Sequence, residues 1–394
     1  VSRIECNYMH AAVGREISRG ILTEPVIFRS HGGRPAAMER GQSSIDLAFI
    51  AAASADRAGN ASGLYGEAAF GSIGYAMPDA LHSHHVVIMT DHLVDYPAQR
   101  ASIDESLVDA VVVVDSIGDP QKIISGTTRV TRDPVGLMIA RYTARALEAS
   151  GLVREGLSFQ TGAGGTSLAV ARDLGEIMRE KGIRGSFASG GITGLLVDLH
   201  EEGLFRSLLD VQCFDREAVR SMAENPGHRE ISASAYASPA AKSNVADHLD
   251  MVILGATEID TDFNVNVHTD SSGRIMGGSG GHSDTAKGAR LSVIAAPLMR
   301  ARLPLIVDRA GTISTPGEDI DLLVTQFGMA VNPRNPDLQD RLMEAGLPVF
   351  PIHALKEKAL GITGRPQVKK RQGRLVGRVI SRDGLELDQI YLAE

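Results

Sequence analysis

Short apolar runs rich in Val, Ile and Leu recur along the chain, and helix-like segments separate them. The runs that predict strands are SIDLAFIAA (44–52), HVVIMT (85–90), DAVVVVD (109–115), LDMVILG (249–255), LPLIVD (303–308) and DLLVTQFGMAV (321–331). Continuous apolar runs of this kind are typical of parallel strands that are buried on both faces of a sheet. The pattern therefore predicts an α/β protein built on open sheets.

The segment GTSLAVARDLGEIMREKG (165–182) has the period of an amphipathic helix. The residues on its predicted apolar face are Leu168, Ala171, Leu174 and Met178. Within ALEASGLVREG (146–156) a helix-like pattern ends at a glycine, and the strand-like LSFQTG follows. We place a domain boundary there, so that residues 1–150 form one α/β domain and residues 151–394 form a second.

The composition fits two ordinary globular domains. The chain has 394 residues, 43 % of them hydrophobic and 22 % charged, which is enough for two sizeable cores. A net charge of −8 repels nucleic acid and anionic membranes, so neither is expected as a partner. Cys6 and Cys213 lack metal-type spacing, and we expect reduced thiols in a cytoplasmic protein.

The apolar runs are short, and the N-terminus of the chain is unusual. No apolar run approaches the roughly 18 residues of a membrane span, and the N-terminus lacks the pattern of a secretion signal. The chain starts at Val1 and enters VSRIECNYMHAAVGREISRG, which resembles the interior of a domain. A shortened first domain, a start codon read as valine and an incomplete gene model all fit this beginning.

The stretch LGATEIDTDFNVNVHTDSSGRIMGGSGGHSDTAKGAR (254–290) combines one glutamate with a glycine-rich loop. After Glu258, apolar and polar residues alternate through residue 268, which predicts a half-buried strand, and TDSSGR predicts a hairpin turn. Strand ends of open α/β sheets face a ligand crevice, where a carboxylate can act as nucleophile or general base. The loop 277–281, which contains Gly280 and Gly281, would let backbone N–H groups approach an oxyanion. A glycine-rich turn beside a solvated glutamate would show the same pattern.

A second glycine loop lies in SFQTGAGGTSLAV (158–170). The order strand, glycines, helix is the arrangement of an anion site at a helix N-terminus, with Gly164 and Gly165 next to the helix. No lysine follows the glycines, so the loop is not a P-loop. Acyl or carboxylate oxygens would fit as well as phosphate, and a purely structural turn stays an alternative.

Several basic residues are weaker candidates. In FRSHGGRPAAM (28–38), Arg34 could clamp a carboxylate, although an exposed arginine at a turn has the same appearance. Arg129 in ISGTTRVT (124–131) is a similar case. The basic patch QVKKRQGRLVGR (367–378) could meet an acidic partner, but a solvated edge is the commoner reason for such a run.

Four histidines within LHSHHVVIMTDH (81–92) raise the question of a metal. They are His82, His84, His85 and His92. No cysteine joins them, and the side chains of His84 and His85 would point to opposite faces of a strand. We therefore predict no metal site and interpret these residues as surface histidines beside a buried strand.

Several motifs together resemble the family of citrate lyase alpha subunits. They include FRSHGGR, DRAGNASG, SFQTGAGGTSLAVARDL, SGGITGLLVDLHEEGLFRSLLDVQCFD, EIDTDFNVNV and GGHSDTA, and the similarity covers nearly the whole chain. The family belongs to the CoA-transferase superfamily, so the resemblance implies two related open α/β domains that face each other across an active site. Family members carry roughly a hundred more residues at the N-terminus, which is why the first domain is expected to be truncated.

The resemblance also implies an activity and partners. The transferase exchanges acetyl for citryl on an acyl carrier protein, so that citrate enters and acetate leaves. The carrier is the gamma subunit, whose thiol comes from a CoA-derived prosthetic group, and no cofactor is bound by the transferase itself. A beta subunit then cleaves the citryl thioester. Citramalate in place of citrate stays open.

The resemblance assigns roles to particular residues. EIDTDFNVN is similar to the EVDLTGQVN-like segment of acetate-type CoA-transferases, and Glu258 stands at the position of their nucleophile. Citrate lyase transferases are described as using a ternary complex, so Glu258 is expected to attack, position or polarise the acyl group. The expected acyl-binding loops contain Gly164, Gly165, Gly280 and Gly281, and Arg34 is our choice for a citrate carboxylate.

Two rival functions stay open at this point. One is a CoA-transferase or thioester hydrolase that acts on free acyl-CoA through a covalent glutamyl thioester. The other is a scaffold that only holds the lyase and carrier subunits together.

Overall fold

The computed structural model describes residues 2–123, 128–365 and 372–393. In these ranges the helices are α1 (Ala11–Ser18), α2 (Gly33–Glu39), α3 (Met77–His82), α4 (Pro134–Ala149), α5 (Gly165–Lys181), α6 (Gly194–Glu201), α7 (Arg216–Glu224), α8 (Ala233–Ala237), α9 (His282–Gly288), α10 (Pro336–Glu344) and α11 (Ile352–Thr363). The loop 124–131 and the basic patch 367–378 lie partly outside the described residues.

The strands are β1 (Glu5–Cys6), β2 (Val26–Arg29), β3 (Ile45–Ala51), β4 (Ser54–Ala55), β5 (Ala61–Ser62), β6 (Ser83–Thr90), β7 (Ala110–Val113), β8 (Ser158–Thr161), β9 (Gly185–Ile192), β10 (Phe205–Cys213), β11 (His228–Glu230), β12 (Met251–Leu254), β13 (Glu258–Asp260), β14 (Val265–Asn266), β15 (Leu291–Ala295), β16 (Met299–Arg300), β17 (Leu303–Pro304), β18 (Ile306–Val307), β19 (Leu322–Thr325), β20 (Gly328–Val331), β21 (Leu375–Ile380) and β22 (Glu386–Tyr391).

The largest sheet has eight strands in the order β11-β10-β9-β8-β12-β15-β19-β20. Its strands are parallel except β20, which runs antiparallel to β19. The predicted amphipathic helix is α5, and all four residues of its apolar face are at most 1 % exposed. Helices connect most of the parallel strands, as parallel crossovers require.

Both faces of this sheet are buried, as the continuous apolar runs predict. In β12, Met251 and Ile253 enter one core, whereas Val252 and Leu254 enter another. The first core contains residues of α4, α5 and α6, and the second contains residues of α11 and the small strands β13 and β18. Side chains alternate between faces along a strand, so four consecutive apolar residues supply both cores.

A smaller parallel sheet, in the order β3-β6-β7, differs from the prediction. One face is buried, with Ile50 and Ile88 at 5 % and 0 % exposed. The other face exposes Leu47, Phe49 and Val113, and Phe49 is 66 % exposed. The expectation that these runs are buried on both faces is therefore wrong for β3 and β7, because nothing in the described residues packs on that side.

A third sheet joins the two ends of the chain, in the order β1-β2-β21-β22. β2 pairs in parallel with β21, which lies some 350 residues later. Helix α4 packs in the core of the large sheet, where Ile139 and Leu147 are fully buried. The division near residue 150 stays a proposal. Helix α4 precedes residue 150 but packs in the core of the large sheet. Strand β21 follows residue 150 but pairs with β2 near the start of the chain.

Two predicted strands are hairpins in the structure. Residues 259–268 do not form one long strand, because β13 turns at Phe263, whose φ is 66°, and returns as β14. The run 321–331 likewise splits into β19 and β20, which turn before Gly328. Alternation of apolar and polar residues survives a tight turn, so the pattern alone could not reveal the reversal.

Candidate active site

The large sheet begins at its centre, and the chain then builds outward in both directions. β8 comes first, β9, β10 and β11 follow on one side, and β12, β15 and β19 lie on the other. Such a reversal of strand order leaves a crevice at the carboxyl ends of the two central strands. The segments that leave these ends are the glycine loop 162–165 after β8 and residues 255–258 after β12. The N–H group of Gly162 donates to the Ile253 carbonyl (3.3 Å), which ties the first segment to β12.

Glu258 lies at the start of the hairpin that follows this crevice. Its side chain is held from two sides, since Nδ2 of Asn266 (2.9 Å) and the N–H group of Gly311 (3.0 Å) both donate to Oε2. Glu258 is only 8 % exposed. Its other oxygen, Oε1, makes no hydrogen bond among the described residues. One carboxylate oxygen is therefore fixed, and the other is available to a ligand.

The hairpin explains why Asn266 reaches Glu258. The two residues are directly paired across β13 and β14, so their side chains lie on the same face of the ladder. Asn266 Nδ2 also donates to the carbonyl (3.0 Å) and hydroxyl (3.1 Å) of Thr269, which fixes the amide. The missing side chain of Gly311 matters as well, because a Cβ atom there would lie 3.1 Å from Oε2 of Glu258.

Glu258 lines a cavity of about 830 Å³. This size falls within the range of about 300–1,000 Å³ that is common for small-molecule sites. The walls come from the turn after Thr269, the segment 303–312, helix α11 and strand β22. None of Gly164, Gly165, Gly280, Gly281 and Arg34 is among the described residues that line this cavity.

The loop 277–281 packs against buried aromatic and imidazole rings. The N–H group of His31 donates to the Gly280 carbonyl (2.9 Å), and Gly280 has a φ of +55°. A Cβ atom on Gly281 would lie 2.5 Å from Oη of Tyr236, and one on Gly280 would lie 3.0 Å from Nε2 of His31. Both glycines are therefore required by close contacts that the sequence did not show.

The same loop adjoins the end of β12. Nε2 of His282 bonds the Gly255 carbonyl (2.9 Å), and Nδ1 pairs with the hydroxyl of Thr315 (2.8 Å). Gly255 is three residues before Glu258. The segment 255–258 therefore contacts His282 of the glycine loop at its first residue and carries the glutamate at its last. Burial lowers the pKa of His282 to about 4, and the imidazole is therefore neutral at physiological pH.

The loop 162–165 leads into α5. Gly164 is the N-cap residue, and a Cβ atom there would meet nothing within 4 Å. Gly165 is more confined, because its carbonyl accepts from Thr131 (3.0 Å) and a Cβ atom would lie 3.0 Å from the Arg129 carbonyl. The backbone at Gly164 is therefore open to the crevice, whereas Gly165 fits against the chain before α4.

Arg34 lies on α2 and is already engaged. Its guanidinium forms an ion pair with Asp79 at 2.6 Å, and Arg34 is about one-quarter exposed. Burial raises the pKa of Asp79, and the positive charge of Arg34 opposes that effect. A citrate carboxylate would therefore have to compete with Asp79 for this arginine.

Several buried polar residues next to the glycine loop were missed in the sequence. Nε2 of Gln160 donates to Oη of Tyr236 (2.7 Å), and Asp284 Oδ2 accepts from the N–H group of Gly32 (2.8 Å). Burial raises the pKa of Asp284 to about 6 and lowers the pKa of His31 to about 3. Only the motifs FRSHGGR and GGHSD marked this region, and motif spacing does not reveal burial.

Metal-type spacing occurs away from the predicted histidines. Among the described residues, Asp210, Cys213 and His228 have ligand atoms within 4.8 Å of one another. Oδ2 of Asp210 accepts from Cys213 Sγ (3.0 Å) and lies 3.0 Å from Nε2 of His228. These hydrogen bonds account for the spacing.

Among the helices of the described residues, none has the length and apolar character that a membrane crossing needs.

The comparisons with known proteins agree on one family. The family described as citrate lyase, alpha subunit (CitF), matches residues 1–392. The citrate lyase alpha chain of Klebsiella pneumoniae is 49 % identical over 390 residues, which cover 99 % of this chain and 77 % of that protein. The citrate lyase alpha subunit of Streptococcus mutans, solved in complex with citrate, superposes with a TM-score of 0.98 at 46 % identity, over 100 % of this chain and 78 % of that one.

A more distant structure bears on the fold alone. The 4-hydroxybutyrate CoA-transferase of Porphyromonas gingivalis has a TM-score of 0.52 at 16 % identity and covers 91 % of this chain and 92 % of its own. The predicted α/β fold of CoA-transferase type is thereby confirmed. Together with the family match, these likenesses confirm the resemblance seen in the motifs. The chain belongs to the family of citrate lyase alpha subunits, the transferases that exchange acetyl for citryl on an acyl carrier protein.

Proposed function

We propose that acyl exchange takes place at Oε1 of Glu258, inside the cavity that this residue lines. The observation that carries the proposal is that the two oxygens of the Glu258 carboxylate have different hydrogen-bond surroundings. Oε2 accepts from Asn266 and Gly311, whereas Oε1 has no partner among the described residues. A nucleophile or a positioning group needs this combination of a fixed orientation and a free lone pair.

In the direct route, Glu258 positions the thioester and citrate is the nucleophile. A citrate carboxylate adds to the acetyl carbonyl, the C–S bond breaks, and the carrier thiolate departs. A mixed citryl–acetyl anhydride remains. The thiolate then adds to the citryl carbonyl, and acetate leaves. No proton or electron is gained or lost overall. The N–H group of Gly311 and the amide of Asn266 keep the glutamate in place throughout.

In the covalent alternative, Oε1 of Glu258 adds to the acetyl carbonyl and the carrier thiolate leaves. The thiolate then attacks the glutamyl carbonyl of the anhydride, acetate leaves, and a glutamyl thioester remains. A citrate carboxylate adds to this thioester and expels the thiolate, which attacks the citryl carbonyl of the new anhydride and releases the Glu258 carboxylate. The free Oε1 supports this route as well. Incubation with acetyl-carrier protein followed by hydroxylamine or borohydride separates the two. A modified Glu258 in the digested chain supports the covalent route, and an unmodified one supports the ternary complex.

Membership of the family supports a substrate and partners. We propose that the acyl group arrives on a CoA-derived prosthetic group of the gamma subunit, that the beta subunit cleaves the citryl product, and that the transferase binds no cofactor of its own. Citrate is bound in the related Streptococcus mutans structure, and we propose it as the acid used here. Gly164, Gly165, Gly280 and Gly281 lie outside the lining of that cavity, and we propose that they shape acyl-binding loops beyond it. Arg34 is proposed to contact a citrate carboxylate in competition with Asp79.

Acetate release from acetyl-carrier protein tests the proposed function. We expect release that requires citrate and that yields citryl-carrier protein, followed by mass spectrometry of the carrier. Citramalate serves as the competing acid, because it carries a methyl group where citrate carries a carboxymethyl group. Faster exchange with citramalate would overturn the choice of citrate. Exchange with neither acid would support the scaffold role.

A further inference from the structure

The cavity beside Glu258 has walls of two kinds. Apolar side chains line one part, and they are Leu303, Pro304, Ile306, Val307, Leu360 and Ile390. Charged side chains line another part, and its cations are Arg309, Lys356 and Arg365. The same lining holds the carboxylates of Glu258, Asp270, Asp308 and Glu357, so a cation can serve an anionic ligand only where none of these acids neutralises it.

Lys356 and Arg365 both lie near Asp308. Lys356 bonds the Asp308 carboxylate at 2.5 Å, although Asp308 is 80 % exposed. The pKa of Asp308 is lowered chiefly by this bond to Lys356, and Arg365 adds to the effect through its charge. Arg309 is the next residue along the chain. The loop that carries Arg309 continues directly to Gly311, whose N–H group holds Glu258.

Two of these cations are not neutralised by an ion pair among the described residues. Arg309 and Arg365 are exposed, and neither has an ion pair or hydrogen bond within the described part of the chain. Lys356 is paired with Asp308. The nearby acid Asp270 is occupied by its own turn, since Oδ1 accepts from the N–H groups of Ser272 (2.8 Å) and Arg274 (3.0 Å).

We propose that Arg309 and Arg365 bind the phosphate of the carrier's prosthetic arm, and that the apolar wall holds the arm while its thioester reaches Glu258. This inference rests on the proposed function. A planar guanidinium with several donors is well suited to phosphate oxygens. The pantetheine part of a CoA-derived arm carries methylene and methyl groups between its amides and ends at a phosphate group, so it offers partners to both the apolar side chains and the two arginines.

Citrate is a poorer occupant for the same groups. It is compact and carries carboxylates on nearly every side, so it would leave the apolar wall unfilled in a cavity of about 830 Å³. The position of the cations also indicates from which side the arm enters the cavity. Arg365 lies just after the end of α11 at Thr363, so the carrier protein is expected to approach over the C-terminal end of this helix.

Three thioesters with the same reactive end test the proposal. They are acetyl-carrier protein, acetyl-CoA and acetyl-pantetheine, and only the last lacks phosphate. Arg309→Gln and Arg365→Gln are each expected to lower the preference for acetyl-carrier protein over acetyl-pantetheine, measured as a ratio of kcat/KM, by roughly tenfold, as the loss of a charge-assisted hydrogen bond predicts. The KM for citrate is expected to stay constant. Arg229→Gln makes the same change on an exposed arginine outside the cavity and is expected to alter neither value.

Each other outcome counts against a defined part of the proposal. An unchanged preference in both variants overturns the phosphate site. A rise in the KM for citrate assigns the arginines to citrate instead, and a loss confined to acetyl-CoA overturns the carrier arm as occupant. A wild-type chain that is inactive with all three thioesters contradicts the proposed function itself, so the two failures are distinguishable.

Discussion

Replacement of Glu258 by glutamine is the sharpest perturbation of the proposed site. The side chains have the same length, and the glutamine carbonyl can accept from Asn266 and Gly311 where Oε2 now accepts at 2.9 and 3.0 Å. The amide group then takes the place of Oε1. The variant therefore removes the free lone pair and the charge while it preserves the hairpin.

The expected sizes of the two effects are very different. A hydrogen bond to a charged group contributes about 1.5–3 kcal/mol and a neutral one about 0.5–1.5 kcal/mol. Two weakened bonds should therefore lower the free energy of unfolding by about 1–3 kcal/mol, and relief from burying a charge offsets part of this loss. Loss of a general base typically lowers a rate about 10²–10⁴-fold, and loss of a nucleophile lowers it further.

Acetate release from acetyl-carrier protein at saturating citrate measures the rate, and denaturant unfolding measures the stability. Glu344→Gln is the matched control, because Glu344 is exposed on α10 and does not line the cavity. We expect the Glu258 variant to be folded and nearly inactive, and the control to match the wild type. A folded Glu258→Gln chain that exchanges acetyl for citryl at a rate close to the wild type would refute the assignment.

The remaining predictions concern the loop, a buried acid and the exposed sheet face. Gly281→Val should abolish transfer and lower the free energy of unfolding by about 1–3 kcal/mol, because its side chain would overlap the Tyr236 hydroxyl at 2.5 Å; turnover and denaturant unfolding measure both. The folded-state pKa of Asp284 is raised from 3.8 to about 6, so its stabilising contribution is complete below about pH 4 and is lost as the pH rises through 6. Asp284→Asn should therefore remove a pH dependence of unfolding in the window of pH 4–6, with an amplitude of a few kcal/mol. Phe49 is 66 % exposed on an apolar sheet face, so the chain expressed alone should self-associate and Phe49→Ser should reduce this association in sedimentation experiments.

Each of these expectations has a result that would contradict it. Gly361→Ala places a methyl group where nothing lies within 4 Å, and it should leave turnover unchanged; a Gly281→Val chain that behaved like it would show that the loop tolerates a side chain. Identical pH profiles for the wild type and Asp284→Asn would show that another group controls stability in that window. A sharp monomer boundary for the wild-type chain would show that the face carrying Phe49 does not drive association.

The sequence by itself determined the fold class and part of the large sheet, namely β8, β12 and the run that forms β19 and β20. Four consecutive apolar residues in β12 had to be buried on both faces, and α5 carried an unambiguous apolar stripe. It also marked Glu258, through its strand end and its family motif. These features are local, since they depend on residues within a few positions of one another. Periodicity and motif spacing describe such neighbours well.

Only the tertiary structure decided what surrounds Glu258. Gly311 is 53 residues away along the chain, and its N–H group reaches Oε2 because β18 pairs beside β13. The reversal of the chain at Phe263, which brings Asn266 opposite the glutamate, is compatible with the same alternating pattern as a straight strand. Contacts between residues distant in sequence depend on register and strand order. A single sequence does not encode these in any local pattern, whereas the folded sheet fixes them.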